Sequence, residues 1–277
     1  MMATMHRRSD EASAKLAPGF LDSEEATCAP KNGALSVGTY QESDFFCWGV
    51  MPGCAVDPNN GGANGVLGTY LVARDPNTGD WLPPVPSKGI TTSNAFVNGV
   101  TGTLARHAQL GEMHMAGVNA FTLVNIPTRG FWGDVLRVAG DKLGFTSDAA
   151  KFVGGLEASV QGSGANVAWV AHSGGAEAFA EGMRYERSLG ETSLSHNSVT
   201  FDGGANNAWA TNAIARSEGV NTRYYNSSFD AVANIVGTNG NPLQMAGSLL
   251  AAPLLFSDRP GWSPHTAPSS FWGWQYR

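Results

Sequence analysis

Charged residues are scarce in this chain. Asp, Glu, Lys and Arg make up 14% of its 277 residues, against about a quarter in an average soluble protein. The 17 basic residues are outnumbered by 23 acidic ones, which gives a net charge of −6. No segment concentrates Lys and Arg, so the electrostatic footprint of a nucleic-acid-binding protein is missing. The sequence therefore predicts that nucleic acid is not a partner.

Cysteine is almost absent. The three cysteines, Cys28, Cys47 and Cys54, all precede residue 55, and no His-rich or Cys-x-x-Cys element accompanies them. A zinc site would require such an element. We therefore expect no bound metal. A disulfide between Cys47 and Cys54 and free buried thiols remain the alternative states of these residues.

Long hydrophobic runs are also missing. The longest, residues 249–256, contains a proline and is far shorter than the roughly 20 residues that span a bilayer. The first 20 residues carry positive charge without the apolar centre of a signal peptide. We expect a protein without signal peptide or transmembrane segment, cytoplasmic in the producing cell, for which secretion would need a non-classical route.

Glycine and small polar residues replace the missing charged residues. Their pattern differs between residues 1–90 and residues 91–277. Residues 1–90 contain the NNGGANG segment at 59–65 and the PPVP cluster at 83–86. They predict an N-terminal extension of short strands and turns. From residue 91 to residue 277, apolar strands alternate with helical stretches, which indicates an α/β domain with a mainly parallel sheet and helices on both faces.

The predicted elements of the α/β domain follow from its apolar periodicity. Strands are expected over residues 94–97, 121–126, 166–171, 198–201 and 222–225. Helices are expected over residues 103–115, 131–143, 147–161, 176–185 and 207–217, and Ser147 lies in a capping signal. The order of elements after Asp230 is left open.

One predicted strand leads directly into a serine. Apolar residues 167–171 are followed by His-Ser-Gly-Gly, and a helix is expected to begin within two residues of Ser173. This arrangement is the small-x-Ser-x-Gly form of a nucleophile elbow. Small residues at Ala171 and Gly175 let strand and helix approach closely, and the Gly174 N–H can stabilise an oxyanion. A glycine-rich turn without chemistry is the alternative.

Several segments together carry a family resemblance. VAWVAHSGGAEAF looks like a nucleophile region in which Ala replaces the first Gly of the elbow, and FVNGVTG looks like a first strand with its oxyanion loop. SVTFDGGANN looks like the strand after the nucleophile helix, and VNTRYYNSSFDAVANIVG is similar to a strand that leads to an acidic residue. Over about residues 94–277 the chain resembles the α/β-hydrolase lipases. Together with LVNIPTRGFWGDVLRVAGDKLGF, it resembles the lipase-like phospholipase toxin domains of bacterial effectors. Ala231 departs from the pattern, because such lipases often have a Pro-containing loop there.

The resemblance implies a serine esterase of the lipase or phospholipase kind with an α/β-hydrolase fold and no cofactor. The triad order in that fold is Ser, then Asp or Glu, then His. His265 is then the general base, because His196 precedes every candidate acid. Asp230, 35 residues before His265, is the expected acid that orients its imidazole. Asp202 also ends a strand and remains the alternative.

The resemblance also places the second oxyanion donor in the loop 98–101. There Gly99 and Val100 would present main-chain N–H groups beside that of Gly174. An ordinary strand-to-helix turn is the alternative for this loop.

Other histidines and aromatic residues receive no catalytic role. His107 and His114 are expected to be helix-surface or packing residues, and His172 is expected to pack behind the serine. The pairs 131–132 and 271–272, each Phe-Trp, would line an acyl groove or a lid in a lipid hydrolase, and core packing is the alternative.

The resemblance further implies a lipid or small ester substrate and transient membrane contact. For an effector toxin it also implies an immunity protein or a delivery partner. Residues 67–82 are similar to the Asp-Pro-x-Thr-Gly hairpin of bacterial repeat-containing toxins. Because fold does not fix function, two other hypotheses remain. One is a non-lipid acyl hydrolase, a thioesterase or peptidase, on the same fold, and the other is an inactive hydrolase-like binding module.

Overall fold

The structure is a computed structural model that describes residues 66–99, 102–127, 140, 146–251 and 263–266, and the backbone of 275–276. The strands are β1 Gly68–Ala73, β2 Val85–Ser87, β3 Asn94–Val97, β4 Ala120–Asn125, β5 Val167–His172, β6 Asn197–Asp202, β7 Asn221–Tyr225 and β8 Gln275–Tyr276. The helices are α1 Leu104–His114, α2 Asp148–Ser163, α3 Gly174–Ser188, α4 Ala208–Glu218 and α5 Pro242–Ala251, and a π-helical turn spans Val232–Val236.

The eight strands of the described residues form one sheet, in the order β2-β1-β4-β3-β5-β6-β7-β8. The five strands from β4 to β7 in this order are parallel to one another. At the two ends of the sheet the pairing is antiparallel: β1 pairs with β4 and β2 with β1 on one side, and β8 pairs with β7 on the other. The prediction of an α/β fold with a mainly parallel sheet is confirmed.

Both faces of the sheet are covered by helices. Side chains alternate between the two faces along a strand, and β3 shows this clearly. Ala95 and Val97 belong to a buried cluster with Phe179 of α3 and other residues of α2, α3 and α4. Phe96, between them, belongs to a second cluster with Leu110 of α1. The parallel strands therefore lie between two helical layers, as predicted.

Two glycines set the distance between α2 and α3. A Cβ atom on Gly154 would lie 2.8 Å from the main-chain oxygen of Gly182, and one on Gly182 would lie 2.8 Å from the nitrogen of Gly154. Real Cβ contacts do not come this close, so both positions require glycine. Close packing against α2 fixes α3, the helix that begins immediately after Ser173.

Most predicted elements between residues 94 and 225 are confirmed to within three residues at either end. Thr103, Ser147 and Asn207 each accept a main-chain N–H with their side chains and so cap α1, α2 and α4. The helix predicted over 131–143 lies outside the described residues, except for residue 140. Beyond Asp230 the structure adds the π-helical turn, α5 and β8.

The sheet extends across the predicted boundary between residues 90 and 91. β1 pairs with β4 through six residues, from Gly68 opposite Asn125 to Ala73 opposite Ala120, and β2 pairs with β1. The side chain of Tyr70 in β1 is buried in the same cluster as Phe96 of β3 and Leu110 of α1. Residues 66–90 are therefore part of the α/β layer. The cysteines and the NNGGANG segment lie outside the described residues.

The hairpin predicted over 67–82 is present in a shortened form. The Asp75 carboxylate accepts the N–H groups of Asn77 and Thr78 at 2.7 and 3.3 Å, which closes the turn. After the turn only Trp81 pairs back, as a single bridge to Arg74, before β2 begins. In the part of the chain that is described, no helix has the length and apolar character needed to cross a membrane.

Candidate active site

Ser173 lies in a strained turn between β5 and α3. Its φ of 55° and ψ of −126° fall outside the regions that L-residues ordinarily adopt. The turn is held by main-chain bonds: the Ser173 N–H donates to Asp202 O at 3.3 Å, and Ser173 O accepts from Ala176 and Ala205 at 3.1 and 3.0 Å. This is the sharp strand-turn-helix geometry that the elbow pattern predicts.

Small residues around Ser173 are required by close backbone contacts. A Cβ atom on Gly175 would overlap Asn98 O and lie 2.7 Å from Val97 O. Position 171, where an elbow more often has glycine, has space for the alanine that stands there. Ala171 is fully buried in the core cluster formed with α2 and α3. The departure from glycine at this position therefore leaves the elbow geometry intact.

Two of the three predicted oxyanion residues lie next to Ser173. Gly174 is the first residue of α3, and the first N–H groups of a helix have no acceptor within it. Gly99 packs directly against the Ser173 side chain, because an added Cβ atom would lie 2.6 Å from Ser173 Cβ and 3.0 Å from Oγ. Val100 lies outside the described residues.

A buried amide network fixes the loop that carries Gly99. Asn98 is fully buried. Its Oδ1 accepts the Ile126 N–H at 2.6 Å, and its Nδ2 donates to Gly99 O at 2.7 Å. His107 joins the network through Nδ1, which lies 2.7 Å from Asn125 Oδ1. His107 is therefore a buried packing residue, and the helix-surface interpretation of it is wrong.

His265 and Asp230 form an imidazole–carboxylate pair. Nδ1 of His265 lies 3.1 and 3.0 Å from the two carboxylate oxygens. Asp230 is fully buried, and its Oδ1 also accepts the main-chain N–H groups of Val232 and Ala233 at 2.8 and 3.3 Å. The start of the π-helical turn therefore stabilises a carboxylate that points at the histidine.

The surroundings of His265 favour its protonated form. Burial alone lowers the pKa of the imidazole. The charge of Asp230, its hydrogen bond and the charge of Asp202 outweigh burial, so the pKa of His265 is raised above 6.5. Gly203, at a φ of 57°, packs directly on the pair, because a Cβ there would lie 2.8 Å from Asp230 Oδ2 and 3.0 Å from His265 Nδ1.

Asp202, the alternative acid, pairs with a different histidine. Its Oδ2 lies 3.0 Å from Nδ1 of His114, whose side chain is buried. The structure thus joins Asp230 to His265 and Asp202 to His114. The surface interpretation of His114 is wrong, because α1 lays this side chain across the sheet beside Phe96, at a ring-centroid distance of 5.6 Å.

His172 has contacts that sequence reasoning missed. The sequence predicts only that it packs behind the serine, yet its Nε2 lies 2.9 Å from the main-chain oxygen of His265. Its ring centroid lies 4.7 Å from that of His265 and 5.1 Å from that of His114. The register of the parallel strands could have indicated these contacts, because His172 ends β5 directly opposite Asp202 at the end of β6.

Ser173 and His265 are linked through His172, which precedes the serine and whose Nε2 lies 2.9 Å from the main-chain oxygen of His265. Among the described residues, no hydrogen bond joins Ser173 Oγ to the His265 ring. Within the same ranges no three His, Cys, Asp or Glu side chains are arranged to hold a metal ion. The Phe-Trp pairs at 131–132 and 271–272 lie outside them.

Comparison of the chain with models of known protein families, with curated proteins and with solved structures found no match. The geometry of the site is therefore the basis for assigning a function.

Proposed function

We propose that this chain is a serine carboxylic-ester hydrolase of the α/β-hydrolase type. Ser173 is the nucleophile, His265 the general base and Asp230 the acid that orients it. One observation carries the proposal: a strained serine stands at the carboxyl edge of a parallel sheet, and His172, the residue before it, contacts a histidine that is paired with a buried aspartate. Ligands of such sheets bind at this edge.

The residues support an acyl-enzyme mechanism. His265 Nε2 accepts the Ser173 proton as Oγ attacks the ester carbonyl, while Asp230 holds the Nδ1–H and stabilises the imidazolium. The Gly174 N–H and the loop at Gly99 face the oxyanion of the tetrahedral intermediate. The alcohol leaves with the proton from His265. A water molecule then gives its proton to His265 and attacks the acyl-enzyme, which releases the acid and restores Ser173.

The uncharged segment that follows Asp230 in the sequence, together with exposed apolar side chains of α5, supports a lipid or other apolar acyl substrate. Residues 231–257 contain no Asp, Glu, Lys or Arg. Phe229, next to the acid, is half exposed and packs near Gly247 of α5. On the same helix, Leu243 and Leu250 are 82% and 87% exposed. Apolar side chains in this position suit contact with acyl chains or a neutral lipid surface.

The biological setting is a further part of the proposal. Action on phospholipid as a bacterial effector toxin, with an immunity protein or a delivery partner, is supported by the sequence resemblance alone. A thioesterase or peptidase would use the same triad, so the choice of substrate must be measured.

A fluorophosphonate probe tests the proposed chemistry directly. The probe should label the wild type and Ser188→Ala, a control variant at the end of α3, and should not label Ser173→Ala. If Ser173→Ala were labelled like the wild type, Ser173 would not be the nucleophile. If no form were labelled, an inactive binding module would be the better description.

A substrate panel then separates the hydrolase classes. Short and long p-nitrophenyl esters, an acyl thioester and a chromogenic peptide are compared at equal concentrations. Faster turnover of long-chain esters, together with release of fatty acid or lysophospholipid from phosphatidylcholine vesicles, supports the lipid assignment. Preference for the thioester or the peptide would replace it. Expression in the bacterial cytoplasm or periplasm, followed by lipid extraction, tests the toxin proposal with Ser173→Ala as control.

A further inference from the structure

His172 connects the strand before the nucleophile to the segment that carries the base. It ends β5, immediately before Ser173, and is 2% exposed. Its Nε2 lies 2.9 Å from the main-chain oxygen of His265. A carbonyl oxygen can only accept, so Nε2 carries the proton and donates it.

The other ring nitrogen of His172 is buried beside the serine. Nδ1 has no hydrogen-bond partner among the described residues. An atom placed as a Cβ on Gly99 would lie 3.4 Å from this nitrogen and 3.0 Å from Ser173 Oγ. A second proton on Nδ1 would therefore be buried without an acceptor, which costs free energy.

The groups around the ring also oppose a charge on His172. Burial lowers its pKa well below 6.5, and the neighbouring imidazoles of His265, His114 and His107 lower it further, although the hydrogen bond to His265 O acts in the opposite sense. The two carboxylates nearby are each paired with another histidine, Asp202 with His114 and Asp230 with His265. The ring is therefore neutral, with Nε2–H as donor and Nδ1 as a free lone pair.

We propose that His172 is a positioning residue for His265, acting through the hydrogen bond from its Nε2–H to the His265 main chain. This inference rests on the proposed hydrolase function. Asp230 holds the His265 ring from the side of the π-helical turn, and His172 holds the backbone of the same residue from β5. Two anchors on different elements fix where the ring stands relative to Ser173.

The second anchor matters because one bond to the ring does not define its position. Within the segment 263–266, the local bond to the His265 main chain is its N–H donating to Ser263 Oγ at 3.3 Å. Loss of the bond from His172 would let His265 move relative to a serine whose own position is fixed. A displacement of about 1 Å at a catalytic group can cost about 100-fold in rate.

Two substitutions of similar size separate the hydrogen bond from packing. His172→Met removes the donor, whereas His172→Gln keeps an amide N–H near the position of Nε2. We expect kcat on a p-nitrophenyl ester to fall about 10- to 100-fold in His172→Met with KM nearly unchanged, and to recover substantially in His172→Gln. Wild-type kcat in His172→Met, or equal losses in both variants, would overturn the proposal.

A measurement on the intact wild type does not depend on activity or on either variant folding. In ¹⁵N-histidine NMR near neutral pH, we expect His172 to show a protonated Nε2 and an unprotonated Nδ1. The Nδ1–H tautomer or a cationic ring would refute the inference. If the probe failed to label the wild type, the proposed function would fail, while this spectrum would still decide whether His172 donates. If the wild type and His172→Met were labelled at the same rate, only the positioning role would fail.

Discussion

Three buried glutamates on neighbouring helices predict an unusual pH dependence of stability. Glu157 of α2 is fully buried, and neither its carboxylate oxygens nor those of Glu218 of α4 have a hydrogen-bond partner in the described part of the chain. Burial, with the added charge of Glu191, raises the pKa of Glu186 of α3 to about 7. Burial also raises the pKa of Glu218 to about 7, against the opposing charge of Arg187.

The magnitude follows from proton linkage. A carboxyl with a pKa of 4.5 in the unfolded chain and about 7 in the folded chain binds more protons when folded. Its stabilising contribution is therefore complete below pH 4.5 and is lost as the pH rises to about 7. At about 1.4 kcal/mol per pKa unit, the upper limit is about 3 kcal/mol for Glu218. Because these carboxyls interact, we expect the contribution of Glu218 to the free energy of unfolding to fall by about 2 kcal/mol between about pH 5 and pH 8. Glu218→Gln should abolish this contribution to the pH dependence.

Urea unfolding at a series of pH values measures this loss. Glu218→Gln changes the absolute stability as well, so the informative quantity is the difference in slope between the variant and the wild type. Asp148→Asn, at an exposed position in the first turn of α2, is the control and should retain the wild-type slope. Equal slopes for the wild type and Glu218→Gln would show that Glu218 titrates normally in the folded protein and would refute the reasoning.

Three further predictions concern the site. Asp230→Asn and His265→Ala should each lower kcat on the order of 10⁴-fold, with little more loss when combined. Asp202→Asn should be far milder because it pairs with His114, and the reverse order in steady-state assays would exchange the two acids. The acid limb of the kcat/KM profile against pH should have its midpoint above pH 6.5, because protonated His265 cannot accept the serine proton. Asp230→Asn should move this midpoint to lower pH. A wild-type midpoint below pH 6.5 would contradict the raised pKa of His265. Ser173→Gly should be about 1 kcal/mol more stable than Ser173→Ala in urea unfolding, since glycine accepts a φ of 55° without strain. Equal stabilities would mean that the turn stores no strain.

Most elements between residues 94 and 225 could be predicted because their signals are local. β5 is a nearly continuous apolar run, as expected for a strand buried on both faces. The start of α2 is marked by Ser147, whose side chain caps the helix. The nucleophile elbow combines such local signals with a fixed order of residue types. Ser173 could therefore be selected before any contact was known.

The contacts between distant segments could not be read in the same way. Alternation within β1 indicates a strand, but its pairing with β4 depends on register between segments far apart in the chain. The His114–Asp202 pair joins the end of α1 to the end of β6, and nothing local marks either residue as the partner of the other. His265 and Asp230 could be selected only because the resemblance supplied the order of the triad.

The position of β1 has a practical consequence for protein preparation. A fragment cut at residue 91 would remove both β1 and β2 and leave the main-chain N–H and C=O groups along one side of β4 unpaired, next to apolar side chains such as Phe121 and Leu123. An open, hydrophobic strand edge of this kind is a template for intermolecular pairing. Such a fragment would be expected to accumulate as insoluble material, whereas one that begins upstream of Gly68 keeps the edge of β4 covered.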